Sequence, residues 1–147
     1  MRILVLHGPN LNLLGEREPE VYGTLTLAEV DARIRAAAQE RGVDVRSEQS
    51  NLEGELVGHL QEARTWADGV ILNPGGYSHT SVAIRDAVAA IPLPVVEVHL
   101  SNLAAREEFR SRSIVAGACV GTIAGFGWPG YVLALDALRG LVSDRPR

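Results

Sequence analysis

The chain has no lysine: all 14 basic residues among its 147 are arginines. That absence excludes imine chemistry through a lysine amine, covalent attachment of pyridoxal phosphate, and the lysine of a phosphate-binding P-loop. Cysteine occurs once, as Cys119, so an intrachain disulfide and a cysteine-rich zinc site are both excluded. Such usage fits a reducing compartment. No apolar run approaches the roughly 18 residues of a membrane helix. The opening MRILVLHGPN is interrupted by His7, Gly8 and Pro9, too early for a signal peptide. Excess positive charge is missing as well, with a net charge of −4, which argues against a nucleic-acid partner. The expectation is a cytoplasmic protein with neither membrane nor nucleic acid as partner.

What is present is a folding composition, 46% hydrophobic and 22% charged. The length suits one domain over residues 1–147, able to bury roughly 70% of its unfolded surface without disulfides or metal. Residues 2–6 (RILVL) read as a buried strand. A polar stretch rich in glycine and proline follows, long enough to predict a lid or binding loop over about residues 8–23. Thr26 and Glu29 have capping-box spacing ahead of a helix carrying Leu27, Val30 and Ile34 on one face, which Gly42 ends. Residues 43–46 form the second strand. Ser50 and Glu53 repeat the box before a helix in which Leu52, Leu56 and Leu60 step every four residues. Residues 69–72 (GVIL) give the third strand, and a helix over 81–90 stops before Pro92. Residues 95–100 (VVEVHL) give the fourth, an arginine-rich helix is expected over 104–112, and 120–124 give the fifth. Pro129 suits the first turn of a last helix that Gly140 ends, leaving a short disordered tail of about 142–147. Five strands alternating with helices predict an α/β fold: a flavodoxin-like, doubly wound parallel sheet of order 2-1-3-4-5, with helices on both faces.

In such a sheet a ligand sits beyond the carboxyl ends of the strands. After the first strand come His7, Asn10, Asn12, Arg17 and Tyr22; after the third, Asn73, Pro74-Gly75-Gly76 and His79; after the fourth, Ser101, Arg106 and Arg110. Strands 1, 3 and 4 are neighbours, so these groups converge. Each has a plain structural alternative. Asn10 and Asn12 suit turns that bond their own backbone, Tyr22 suits a loop anchor, and His7 suits packing under the loop. His79 suits a helix cap, His59 a helix surface. Arg106 and Arg110 suit a solvated helix face, though at i, i+4 they also share a side able to hold an anion. Glu97 and His99 point to one side of the fourth strand. Two ionisable groups in a central strand are costly to bury for structure alone, which favours a carboxylate-oriented imidazole.

Gly125, Gly127 and Gly130 spell GxGxxG, yet they precede the last helix with no acid-ending strand beyond. They read as close strand-to-helix packing and not as a dinucleotide site. The collected groups suit proton abstraction beside a carbonyl with a separate acid for the leaving group. A tyrosine in water titrates near pH 10, so a tyrosinate base at neutral pH needs roughly 3–4 kcal/mol of differential stabilisation. A close guanidinium in a water-poor site supplies that, and Arg17 is the candidate.

Three separated segments, GPNLNLLGEREPEVYG (8–23), ILNPGGYSHTSVAIRDA (71–87) and EVHLSNLAAREEFR (97–110), together with GYVLAL (130–135), resemble the type II 3-dehydroquinate dehydratases over nearly the whole chain. The resemblance implies dehydration of 3-dehydroquinate to 3-dehydroshikimate in the shikimate pathway, by anti elimination through an enolate, with neither cofactor nor metal. It implies Tyr22 as base, Arg17 as the group keeping it ionised, His99 as acid with Glu97 behind it, and Asn10 holding a water against the enolate oxygen. Asn73, His79, Leu100, Ser101 and Arg110 match the substrate-binding set. Asp86 matches a position that reaches a neighbouring subunit's site in a dodecamer, a tetramer of trimers. The first loop matches a mobile lid. Gly76, Ser78, Ala104 and Arg112 depart from the family's usual Ala, Thr, His and His, which touches loop mobility and subunit packing but none of the acid, base or anchor positions. The runner-up is a flavodoxin-like flavin carrier or phosphoacceptor receiver, against which stand the missing acidic cluster, the missing lysine and the lack of a Ser/Thr-rich phosphate loop.

Overall fold

All five strands of the computed structural model, which describes residues 1–145, run parallel in the order β2-β1-β3-β4-β5. They are β1 (Arg2–His7), β2 (Asp44–Gln49), β3 (Gly69–Asn73), β4 (Val95–His99) and β5 (Gly121–Ala124). The helices are α1 (Pro19–Tyr22), α2 (Leu27–Glu40), α3 (Glu53–Ala63), α4 (Val82–Ala90) and α5 (Pro129–Ser143). Strand alternation splits the core in two. Ile3, Val5, Ile71, Val96 and Val98 face α2 and α5, where they meet Ile34, Tyr131 and Leu135. Leu4, Leu6, Val70 and Leu72 face α3 and α4, where they meet Leu56, Leu60 and Ile84. Each such aliphatic side chain contributes about 1.5–3 kcal/mol when fully buried, and this two-sided burial makes β1 and β3 read as continuous apolar runs. No helix among the described residues is long and apolar enough to cross a membrane.

Several ends fall where the local chemistry directs. Thr26 caps α2, its hydroxyl accepting from Glu29 N at 3.2 Å and donating to the Glu29 carboxylate at 3.0 Å. Ser81 caps α4 in the same manner, accepting from Ile84 N at 2.9 Å. Gly42 follows α2 with φ +66°, a left-handed stop that glycine adopts without strain. A Cβ at Gly130 would stand 3.5 Å from Ile123 and Val98, an ordinary contact, so the glycine-rich segment lies against the sheet at a distance that does not itself require glycine at this position.

Other expectations are corrected. The helix expected over 104–112 is two separate 3-10 turns, Leu103–Ala105 and Glu108–Arg110, parted by extended backbone at Arg106 and Glu107. Ser50 is not the cap of α3. Its hydroxyl accepts from Leu52 N and donates to Glu55 instead of joining Glu53, and Leu52 occupies the cap position. Gly140 does not end α5. Its carbonyl accepts from Asp144 N, so the helix continues through Ser143 into the segment expected as tail. Buried Tyr131, Ala134, Leu135 and Leu138 anchor α5 firmly enough to absorb the roughly 1 kcal/mol that an interior glycine costs. The last two residues of the expected tail lie outside the described residues.

Candidate active site

Parallel pairing brings the strand ends to one edge. His7 pairs with Asn73 at the ends of β1 and β3, and Leu72 of β3 pairs with Glu97 of β4. A cavity of about 140 Å³ opens there. The first loop supplies Asn10, Arg17 and Tyr22 to its wall; the exit of β3 supplies Asn73 and His79; the exit of β4 supplies His99, Leu100, Ser101, Arg106 and Arg110. A larger, mostly apolar cavity of about 420 Å³ adjoins it, with Tyr22, Leu100, Ser101 and Arg106 shared between the two. Arg17, His79, His99 and Arg110 line only the smaller one.

The first loop closes over the edge through tight backbone contacts. Gly8 N donates to Asn73 O at 2.7 Å, and a Cβ on Gly8 would lie 2.6 Å from the Pro74 carbonyl. Asn10 takes a left-handed conformation, φ +67°, with its amide N–H held by Asn51 Oδ1 at 2.9 Å. Its side chain makes no capping bond, so the turn holds the residue by its backbone and leaves the amide for the cavity. Asn12 is not in the cavity wall. Tyr22 ends α1, and its ring is covered by two guanidiniums, Arg17 at 4.7 Å and Arg106 at 5.1 Å from the centroid. Arg106 also donates to Ser101 Oγ at 3.4 Å.

Glu97 and His99 share the α4 side of β4, and both are buried. His99 Nε2 lies 3.0 Å from Glu97 Oε2, but the pair is poorly aligned, and neither atom forms a hydrogen bond within the protein. The other carboxylate oxygen is held by Ser113, whose hydroxyl donates to Glu97 Oε1 at 2.9 Å while accepting from Ala116 N at 3.1 Å. His79 donates Nδ1–H to the Arg112 carbonyl at 2.8 Å, which leaves Nε2 unprotonated in the neutral ring. Because the contact is to a carbonyl, the side chain at position 112 is not part of it. Arg110 donates Nε–H to Glu107, and that hydrogen bond holds the exposed Glu107 carboxyl below the usual carboxylate range. Both Nη groups of Arg110 have no protein hydrogen bond among the described residues, which keeps them available to an anion.

Two of the expected residues do not line the cavity: Glu97, expected behind His99, stands behind the wall in contact with it, and Asp86, expected to serve a neighbouring copy, is exposed on α4. Arg106 and Arg110 both reach the wall, though the helical i, i+4 face proposed for them does not exist. Ser113 went unseen in the sequence, where the second serine of RSRSIVAG carries no signal. Asp31 and Tyr131 were missed likewise as partners of His7, which is fully buried beneath the loop. Burial pushes the Cys119 thiol up to about 12, which suits an inert packing residue.

The sequence model of the family described as Dehydroquinase class II matches residues 1–139. A 3-dehydroquinate dehydratase of Desulforudis audaxviator is 57% identical over 143 residues, covering 97% of this chain and 95% of its own. A protein of the same name from Geotalea daltonii is 52% identical over 138 residues, covering 94% and 96%. The type II dehydroquinase structure from Butyrivibrio crossotus superposes with a TM-score of 0.93 at 42% identity, covering 95% of this chain and 97% of that one. That from Propionibacterium acnes gives 0.90 at 45% identity, covering 97% of each. With its five-stranded 2-1-3-4-5 sheet and this match along nearly its whole length, the chain belongs to the class II dehydroquinase family.

Proposed function

We propose that this chain dehydrates 3-dehydroquinate to 3-dehydroshikimate, a step of the shikimate pathway toward aromatic amino acids. One observation carries the reading: a tyrosine with two guanidiniums against its ring and a histidine backed by a buried carboxylate line the same small cavity. Ionised Tyr22 takes the proton α to the ketone, and the C–H electron pair becomes an enolate. Arg17 and Arg106 place positive charge against the ring, which favours the electron-rich phenolate over the neutral phenol. Asn10 holds a water against the enolate oxygen. The enolate then collapses, and the β C–O bond breaks as His99 gives its proton to the departing hydroxyl. Water leaves by anti elimination. The chain's own side chains supply both the base and the acid of this elimination, and the step as written passes through no cofactor or metal. Glu97 balances the positive charge that His99 carries before it donates. Arg110 anchors the substrate carboxylate through its free Nη groups, and Asn73, His79, Leu100 and Ser101 take the ring hydroxyls and the remaining polar edge. The loop over about residues 8–23 is the lid, bringing Arg17 and Tyr22 onto bound substrate.

Copies of the chain assemble as a dodecamer, a tetramer of trimers, in the cytoplasm. Asp86, exposed on α4, reaches the site of a neighbouring copy. Val82, Phe109, Val120 and Phe126, each more than half exposed, are apolar side chains that such contacts would cover. Sedimentation at micromolar concentration checks this, with twelve chains expected and a monomer contradicting it.

For the reaction, purified protein is incubated with 3-dehydroquinate, with EDTA and with borohydride in parallel samples. The ultraviolet rise of the conjugated enone reports product. Turnover surviving both additions is expected. Borohydride inactivation, or no enone at all, overturns the reading.

A further inference from the structure

Beneath the cavity runs a buried chain of hydrogen bonds that joins β1, β3, α2 and α5. Asn73 Nδ2 donates to the Tyr131 hydroxyl at 3.1 Å, and that oxygen lies 3.1 Å from His7 Nδ1. The second ring nitrogen of His7, Nε2, lies 2.8 Å from Asp31 Oδ1. His7 and Tyr131 are fully buried, and Asn73 is 3% exposed. The protons have one self-consistent order. A carboxylate only accepts, so His7 Nε2 carries the hydrogen, and Nδ1 of the neutral ring is an acceptor. The Tyr131 hydroxyl donates to that acceptor and turns its lone pair to Asn73, which must answer with N–H. Burial raises the Tyr131 phenol well above its ordinary value, so it stays protonated and keeps donating.

The other end of the amide agrees, since Asn73 Oδ1 accepts from Gly75 N at 3.1 Å. The amide group is thus fixed in one orientation, with its oxygen spent on Gly75 and one of its two Nδ2 hydrogens spent on Tyr131. Asn73 lines the cavity. What it has left to offer there is the second N–H.

We propose that Asp31, His7 and Tyr131 form a positioning relay that fixes the Asn73 amide, so that the cavity meets an N–H donor at this point and selects an oxygen acceptor on the substrate. The relay rests on the reading of Asn73 as a substrate contact. It also accounts for three polar groups buried in a row on the α2 and α5 side of the sheet, where apolar residues of similar size pack without losing water.

The test is a kinetic cycle on the full chain with 3-dehydroquinate, comparing parent, Tyr131→Phe, Asn73→Ala and the double variant. Thermal melts of each verify the fold. Tyr131→Phe keeps the ring and removes the hydroxyl; KM is expected to rise about tenfold, the scale of one hydrogen bond, with a smaller change in kcat. In the Asn73→Ala background the same substitution is expected to change KM less than twofold. Asp31→Asn, which offers His7 a donor as well as an acceptor and so frees the tautomer, is expected to raise KM in the same direction by a smaller factor. Equal factors in both backgrounds, or a fall in melting temperature with unchanged KM, overturn the relay. Unchanged kinetics in Asn73→Ala itself overturns the placing of Asn73 on substrate and the relay with it. Nitrogen-15 shifts of histidine in the parent protein give a second, mutation-free arm. His7 protonated at Nε2 and bare at Nδ1 supports the relay, and the opposite tautomer overturns it.

Discussion

The guanidinium of Arg106 lies 5.1 Å from the centre of the Tyr22 ring, almost as close as that of Arg17 at 4.7 Å. The two cations come from different parts of the fold. Arg17 rides on the first loop with Tyr22, while Arg106 belongs to the segment after β4 and is tied to Ser101. The loop therefore brings its own charge to the tyrosine and meets a second one already on the scaffold. Removing either charge should lower kcat: Arg17→Met by about 10²-fold or more, on the scale of a lost electrostatic group in an active site, and Arg106→Met by a smaller factor. Steady-state rates on 3-dehydroquinate check this, and an unchanged kcat in Arg17→Met contradicts it.

Ser113 holds the Glu97 carboxylate from behind. Ser113→Ala removes the donor to Oε1 and leaves a buried charge with one hydrogen bond fewer, which costs about 1–3 kcal/mol of stability. Catalysis should fall as well, since Glu97 is then free to turn away from His99. Urea titration and kcat measured on one preparation read both effects, and a variant that melts and turns over like the parent contradicts the placing.

Gly8 sits where the first loop crosses the exit of β3. In Gly8→Ala the new Cβ meets the Pro74 carbonyl at 2.6 Å, a clash with backbone that no rotamer change relieves. We expect a loss of about 1–3 kcal/mol together with a raised KM, because both sides of this contact carry site residues. Thermal unfolding and substrate titration test it.

Arg41 grips Asp136 with two hydrogen bonds, 2.7 Å from Nε and 3.2 Å from Nη2, tying the end of α2 to α5. The Asp136 carboxyl is held below the usual carboxylate range by that hydrogen bond and by the adjacent positive charge. A carboxyl lowered on folding adds stability above its unfolded value, and the gain is lost as pH falls through the folded value. Both partners are partly exposed, so Asp136→Asn should cost under about 1 kcal/mol at neutral pH. The gap from the parent should shrink as pH falls toward about 3; a gap that widens in acid contradicts the assignment.

Much of the fold was legible because local chemistry and global arrangement agree. Thr26, Ser81, Gly42 and Pro129 mark helix ends by reasons internal to a few residues, and the short, β-branched apolar runs at β1, β3 and β4 read as strands buried on both sides. The segment after β4 was misread because its arginines and glutamates have helical spacing. Its backbone follows the cavity instead, extending at Arg106 and Glu107 so that Leu103, Arg106 and Arg110 all reach the wall. The site residues were legible where they follow strand ends, since strand order alone makes those ends neighbours. Their supports were not. Tyr131 lies 124 residues from His7, and Ser113 lies 16 from Glu97; only the folded packing brings a phenol to an imidazole or a hydroxyl to a carboxylate.

The base is the point on which the rest depends, and Tyr22→Phe tests it most directly. The variant keeps the ring against Arg17 and Arg106 and removes only the oxygen that takes the proton. Single-turnover formation of the enone from 3-dehydroquinate should fall by at least about 10²–10⁴-fold, while equilibrium binding of substrate and the melting temperature stay close to the parent's. A Tyr22→Phe variant that forms product at the parent's rate would place the base on another residue and contradict the proposed mechanism.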